Sequence, residues 1–232
     1  MNRTMENSQK LRFDSLWGKY SKAVSAGDSY VDNQFSGGDI LTLVARLDHN
    51  IQTSLSIATT KIAADSRAFY TYPPRTIHTT ILFLTPYVGP EINLEKQHRV
   101  LDAVSRAVSK SPAINYQVRG LGIFPTTIFS QLYIDQSNQL GDLRHAIADS
   151  LKMAGLISPA TAIYEDNLDW QLSFANVARC LQPMGHDTVE RVSPLRHLSF
   201  GQGTLRHLEL VTTDKFLSVD NTRTLATLTL GE

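Results

Sequence analysis

The order strand, helix, strand is written twice in this chain, at similar length. After the break at Ser36-Gly37-Gly38-Asp39, residues Ile40 to Leu47 are rich in β-formers and predict a strand. From Asn50 to Ala64 the apolar positions Ile51, Leu55, Ala58 and Ile62 recur every three or four residues, the period of an amphipathic helix. Pro73-Pro74 end any helix and lead into a strand over Thr76 to Leu84. The second half repeats this order: a strand over Ile128 to Ile134, a helix over Leu140 to Met153 carrying Leu143, Ile147 and Leu151, with Gly155 as its C-cap, and a strand over Trp170 to Val177. Such a repeat points to two related lobes.

Between the repeats lie a helix pattern (Val100, Leu101, Val104, Val108) and a strand over Ile114 to Val118 followed by Gly120-Leu121-Gly122-Ile123-Phe124-Pro125. Leu205 to Val211 and Leu225 to Leu230 close the chain as strands. The first 38 residues are polar apart from an amphipathic stretch, Phe13 to Val24, that suits a short helix. Residues 1–38 are therefore read as an N-terminal extension and 39–232 as one bilobal domain.

Composition narrows the chemistry. With 22 basic and 22 acidic side chains among 232 residues, no overall attraction to duplex DNA is implied, and any phosphate recognition is local. No apolar run approaches the roughly 20 residues a membrane helix needs, and the start of the chain lacks the apolar stretch of a secretory signal. A cytoplasmic protein is expected. Cys180 is alone, and without a CxxC or His-x-x-x-His pair we expect no structural metal, and no cofactor.

In the strand Ile77-His78-Thr79-Thr80-Ile81, His78 and Thr80 point to one face because side chains two apart share a face. An imidazole can move a proton near neutral pH, and a hydroxyl can donate to a phosphate oxygen. A structural histidine beside a threonine is, by itself, commonplace. The stretch Arg75 to Leu84, in its setting, resembles the first His-x-Thr strand of the 2H phosphoesterase superfamily, which includes 2′-5′ RNA ligase-like proteins and cyclic phosphodiesterases. That resemblance runs from about residue 40 to the C-terminus. It implies an α+β fold of two pseudo-symmetric β-sheet lobes backed by helices around a central groove, where two His-x-Thr/Ser motifs supply base, acid and phosphate-binding hydroxyls without a metal.

The second motif departs from that pattern. By position it is Trp170-Gln171-Leu172-Ser173, with glutamine where the family has histidine. An amide can bond a phosphate oxygen but carries no proton near neutral pH. A literal His-x-Ser stands later, at His197-Leu198-Ser199. From Leu41 to His78 is 37 residues, from Ile128 to Gln171 43, and from Ile128 to His197 69, which favours Gln171 as the equivalent. His197 as that equivalent is the alternative, and His197 reaching the groove from a neighbouring loop is a third possibility.

The resemblance thus implies a metal-independent phosphodiesterase or RNA end-processing enzyme, acting on 2′,3′-cyclic phosphate or 2′-5′ linkages. His78 is base or acid, Thr80 and Ser173 bind phosphate, and Gln171 or His197 is the second polar partner. A degenerate member that binds a nucleotide or RNA end without efficient cleavage is the runner-up, and a third reading takes His78 as a satisfied core histidine and the protein as an interaction module using its N-terminal extension. Arg179 is a further candidate for phosphate. Tyr72 and Tyr133 suit base stacking, although packing explains them more simply. A cross-strand surface pair accounts for His207 with Glu209, and a turn for Gly201-Gln202-Gly203.

Overall fold

A computed structural model describes residues 3–31, 40–63, 67–85, 93–134, 138–157 and 173–231. Helices are α1 (Arg3–Ser25), α2 (His49–Ala63), α3 (Leu94–Val108), α4 (Gln139–Met153) and α5 (His186–Val192). Strands are β1 (Ile40–Arg46), β2 (Phe69–Thr71), β3 (His78–Phe83), β4 (Ile114–Phe124), β5 (Thr127–Ile134), β6 (Ser173–Cys180), β7 (Ser199–Leu205), β8 (His207–Thr213) and β9 (Arg223–Thr229).

The strands form one mixed-length antiparallel sheet in the order β7-β4-β5-β6-β3-β1-β8-β9, with β2 added to β6. It divides at its centre. β3 and β6 share a single registered pair, Thr79 with Ala175, whereas every other neighbouring pair in that order runs for five residues or more. Each half holds one copy of the repeat: β1 and β3 are antiparallel neighbours joined through α2, and β5 and β6 are antiparallel neighbours joined through α4. The helices cross over, α2 packing against β6 and β7 of the other half and α4 against β3. Exchanging helices buries Ile51, Leu55 and Ile62 from one copy with Leu143, Ile147 and Leu151 from the other in one continuous core.

Several elements differ from their sequence expectation. β4 runs straight through Gly120, which adopts φ 78° at a bulge opposite β5 where a side chain would strike the Arg196 carbonyl and the Phe13 ring. Gly201-Gln202-Gly203 is no turn but the middle of β7, and Gly203 is required there because Asp48 and the Tyr116 hydroxyl occupy the space of a Cβ. α3 begins at Leu94, where the Asn93 side chain accepts from the Lys96 amide.

α1 is longer than the stretch from Phe13 to Val24 and packs on β4, β5 and α5. Phe13 meets the edge of Phe129, Val24 is fully buried, and Gln9 pairs with both backbone groups of Ile134, the end of β5. Ser29 then bonds the Pro125 carbonyl and the Met184 amide, tying the segment to two further loops.

Candidate active site

His78 opens β3 directly after a short 3-10 turn, Pro74–Thr76, set by the two prolines. Its Nδ1 lies 2.7 Å from the Thr76 carbonyl, and since a carbonyl only accepts, Nδ1 carries the hydrogen. Nε2 is then the basic nitrogen. The same carbonyl accepts from Arg46 at 3.0 Å, and Arg46 also pairs with Glu209 at 3.0 Å. The ring of Tyr72 stands edge-on to the imidazole, with centroids 5.8 Å apart, and Arg179 donates through Nε to the Tyr72 hydroxyl at 3.1 Å.

Burial strips the imidazole of water and lowers its pKa to about 4; the Thr76 bond opposes this, while the Arg46 and Arg179 charges add to it. His78 is therefore neutral at pH 7, in the state of a proton acceptor. Burial also raises the pKa of Tyr72, so its phenol keeps its proton.

Strand register decides which side chains of β6 share the face of His78 and Thr80. Ala175 is paired with Thr79 and takes the opposite face, and Ser173, two residues away, goes with it. Phe174 and Asn176 lie on the face of His78. A bulge at Val177, between the pairs Phe129 with Asn176 and Ile128 with Ala178, resets the alternation and brings Arg179 to that same face. Exposure follows the same division: Phe174, Asn176 and Arg179 are partly exposed, and Ser173, Ala175 and Ala178 are buried.

The expected residues are thus only partly assembled. His78, Thr80 and Arg179 share one face. Ser173 is 2% exposed and points with Thr79 toward the opposite side, so the expectation that its hydroxyl joins Thr80 is not met here. Gln171 lies outside the described residues. His197 precedes β7, which is separated from β3 by β4, β5 and β6, and it lines a different cavity with Arg196 and Arg119. It does not face His78 as a second imidazole. Tyr72 packs on His78 and Tyr133 under Arg119, whose guanidinium lies 4.4 Å from the ring centroid. Glu209 pairs with Arg46, and His207 meets the Thr229 hydroxyl across the β8–β9 pair.

Sequence reading passed over Arg46 and Arg144. Arg46 ends β1 and is the cross-strand partner of His78, a relation visible only once the register is known. Arg144, on α4 and 8% exposed, donates to the carbonyl of Ile81 at 2.7 Å and of Thr80 at 3.4 Å, just past the single bridge between the half-sheets. It clamps the motif strand from behind.

No family model and no curated protein matches the sequence. Solved structures match its architecture. TT0787 of Thermus thermophilus aligns with TM-score 0.59 and 20% identity, covering 83% of this chain and 99% of its own. A structure described as a phosphoesterase aligns with TM-score 0.56 and 15% identity, and E. coli LigT determined with ATP with TM-score 0.55 and 14%, each over 84% of this chain and 99% of theirs. The chain has the 2H phosphoesterase fold. β3, which carries His78 and Thr80, and β6 are the central pair of strands, where the half-sheets meet. Among the described residues no helix is long and apolar enough to cross a membrane, and no group of three or more His, Cys, Asp or Glu is placed to hold a metal ion.

Proposed function

We propose that the chain is a phosphodiesterase of the 2H type, acting on nucleotide or RNA ends that carry a 2′,3′-cyclic phosphate, or on 2′-5′ linkages, without a metal ion. The observation that carries this reading is His78, held neutral with Nδ1 bonded to Thr76, on a face that also presents Thr80 and Arg179. Nε2 takes the proton of a water attacking phosphorus. As the bond from phosphorus to the ribose oxygen breaks, that oxygen receives a proton from His78 or solvent. The charge spreading over the phosphoryl oxygens is met by the Arg179 guanidinium and the Thr80 hydroxyl. E. coli LigT has been determined with 3′-AMP and with phosphate, which makes such ligands the natural probes here.

A second reading, a protein that binds a nucleotide or RNA end without efficient cleavage, is favoured by the makeup of β6. Its described side chains on the His78 face are Phe174, Asn176 and Arg179, none a proton carrier at neutral pH. Hydrolysis of 2′,3′-cyclic nucleotides and 2′-5′ dinucleotides, followed beside calorimetric binding of 3′-AMP, separates the two. Turnover in excess chelator supports the enzyme. Binding that Arg179→Ala weakens, with no turnover, supports the binding protein, and the absence of both sinks the assignment.

A further inference from the structure

On the same sheet face, on the far side of β6 from His78, a cavity of about 470 Å³ opens between α1, β4, β5 and the segment before β7. Lys10, Asp14, Arg119, Tyr133, Arg196 and His197 line it. Among the described residues that line it are three permanent cations and one carboxylate, Asp14, which is bonded to Arg196 at 2.7 Å. Arg196 lies over the Trp17 ring, and its Nε is buried with no hydrogen-bond partner among the described residues. Beside the cavity stands Gln131, cross-strand partner of Arg119 and two residues from Tyr133 on the same face. Gln131 is 0% exposed, and among the described residues neither its amide oxygen nor its nitrogen has a partner. A buried amide without partners is destabilising unless something else bonds it.

We infer that this cavity is an added subsite for a phosphate about two nucleotides along from the one held at His78, so that the ligand is a short RNA end rather than a mononucleotide. This rests on the reading above. The register sets Arg119, Gln131, Phe174 and Thr80 in one row across β4, β5, β6 and β3. Three strand spacings put the cations roughly 14 Å from the motif strand, a span of about two nucleotides. Between them Phe174, partly exposed, offers a ring on which a base can stack. The cavity volume suits a nucleotide. One wall is α1, which supplies Lys10 and Asp14.

The experiment compares binding of a fluorescently labelled trinucleotide and of a labelled mononucleotide, both ending in a 3′-phosphate, to the wild-type protein, Lys10→Ala, Arg119→Ala and Arg179→Ala. We expect the trinucleotide to bind at least 10-fold more tightly than the mononucleotide. Lys10→Ala and Arg119→Ala each weaken the trinucleotide about 5- to 10-fold and leave the mononucleotide within 2-fold. Lys10 is exposed on α1, so its variant keeps the fold and guards against a trivial loss. Equal affinities for the two ligands, or equal losses for both in Lys10→Ala, overturn the subsite. Failure of the mononucleotide to bind at all, or its indifference to Arg179→Ala, instead overturns the His78 reading.

Discussion

Tyr72 joins the two halves of the site: its ring edge meets the His78 imidazole at 5.8 Å while its hydroxyl accepts from Arg179 at 3.1 Å. A guanidinium from β6 is thereby held beside a histidine from β3, across the joint where the half-sheets share one residue pair. On the proposed function, phosphate recognition by Arg179 gains from that connection, because the bond to Tyr72 limits the freedom of a long side chain before a ligand arrives.

Tyr72→Phe keeps the packing against His78 and removes the hydroxyl. We expect a loss of about 1 kcal/mol in stability and a several-fold weaker affinity for 3′-AMP. Urea unfolding and calorimetry measure the two separately. An unchanged affinity would show that Arg179 is not positioned by Tyr72.

Stability should fall with acid in a way that traces to His78. Burial holds the folded-state pKa near 4, against an ordinary value of 6.5. The depressed folded value means that the unfolded chain takes up a proton from pH 6.5 downward, while the folded chain refuses it until about pH 4. The contribution is fully present above 6.5 and is lost as the pH falls toward 4, on the order of 2 kcal/mol between pH 7 and 4.5. Urea midpoints of the wild-type protein and His78→Gln at those two pH values should differ in slope, the variant losing less. Parallel losses would mean that the imidazole titrates normally.

Arg144→Met should destabilise strongly. It strips the carbonyls of Thr80 and Ile81 of a charged donor at the point where the half-sheets part, and we expect about 2–4 kcal/mol by thermal or urea unfolding. A loss under 0.5 kcal/mol would show that water replaces the clamp.

Phe13→Ala tests whether the first helix is structural. Phe13 is 2% exposed, packed against Phe129 and over Gly120, and its truncation should cost about 3–5 kcal/mol. A helix that merely rests on the surface would give a fraction of that.

Much of the fold was readable because its signals are local. The Ile51, Leu55, Ala58, Ile62 period marks α2, the Leu143, Ile147, Leu151 period marks α4, and Pro73-Pro74 mark the entry to β3. β7 was hidden because its two glycines resemble a turn, when their role is to let Asp48, Tyr116 and Ile51 approach the strand. The full length of β4 was hidden by Gly120, which reads as a break and is absorbed by a bulge. The site was legible only in part. His78 and Thr80 follow from alternation within one strand, but Arg46 pairs with His78, and Arg179 with Tyr72, across long separations in sequence. The orientation of Ser173 depends on a register that no local pattern encodes.

The most direct measurement is the rate at which the wild-type protein and His78→Ala open a 2′,3′-cyclic nucleotide in excess chelator, with matched unfolding midpoints to exclude loss of fold. The account predicts turnover in the wild-type protein that falls by about 10²–10⁴ in the variant. Turnover that survives His78→Ala unchanged would contradict it, because the chemistry would then lie elsewhere on the molecule.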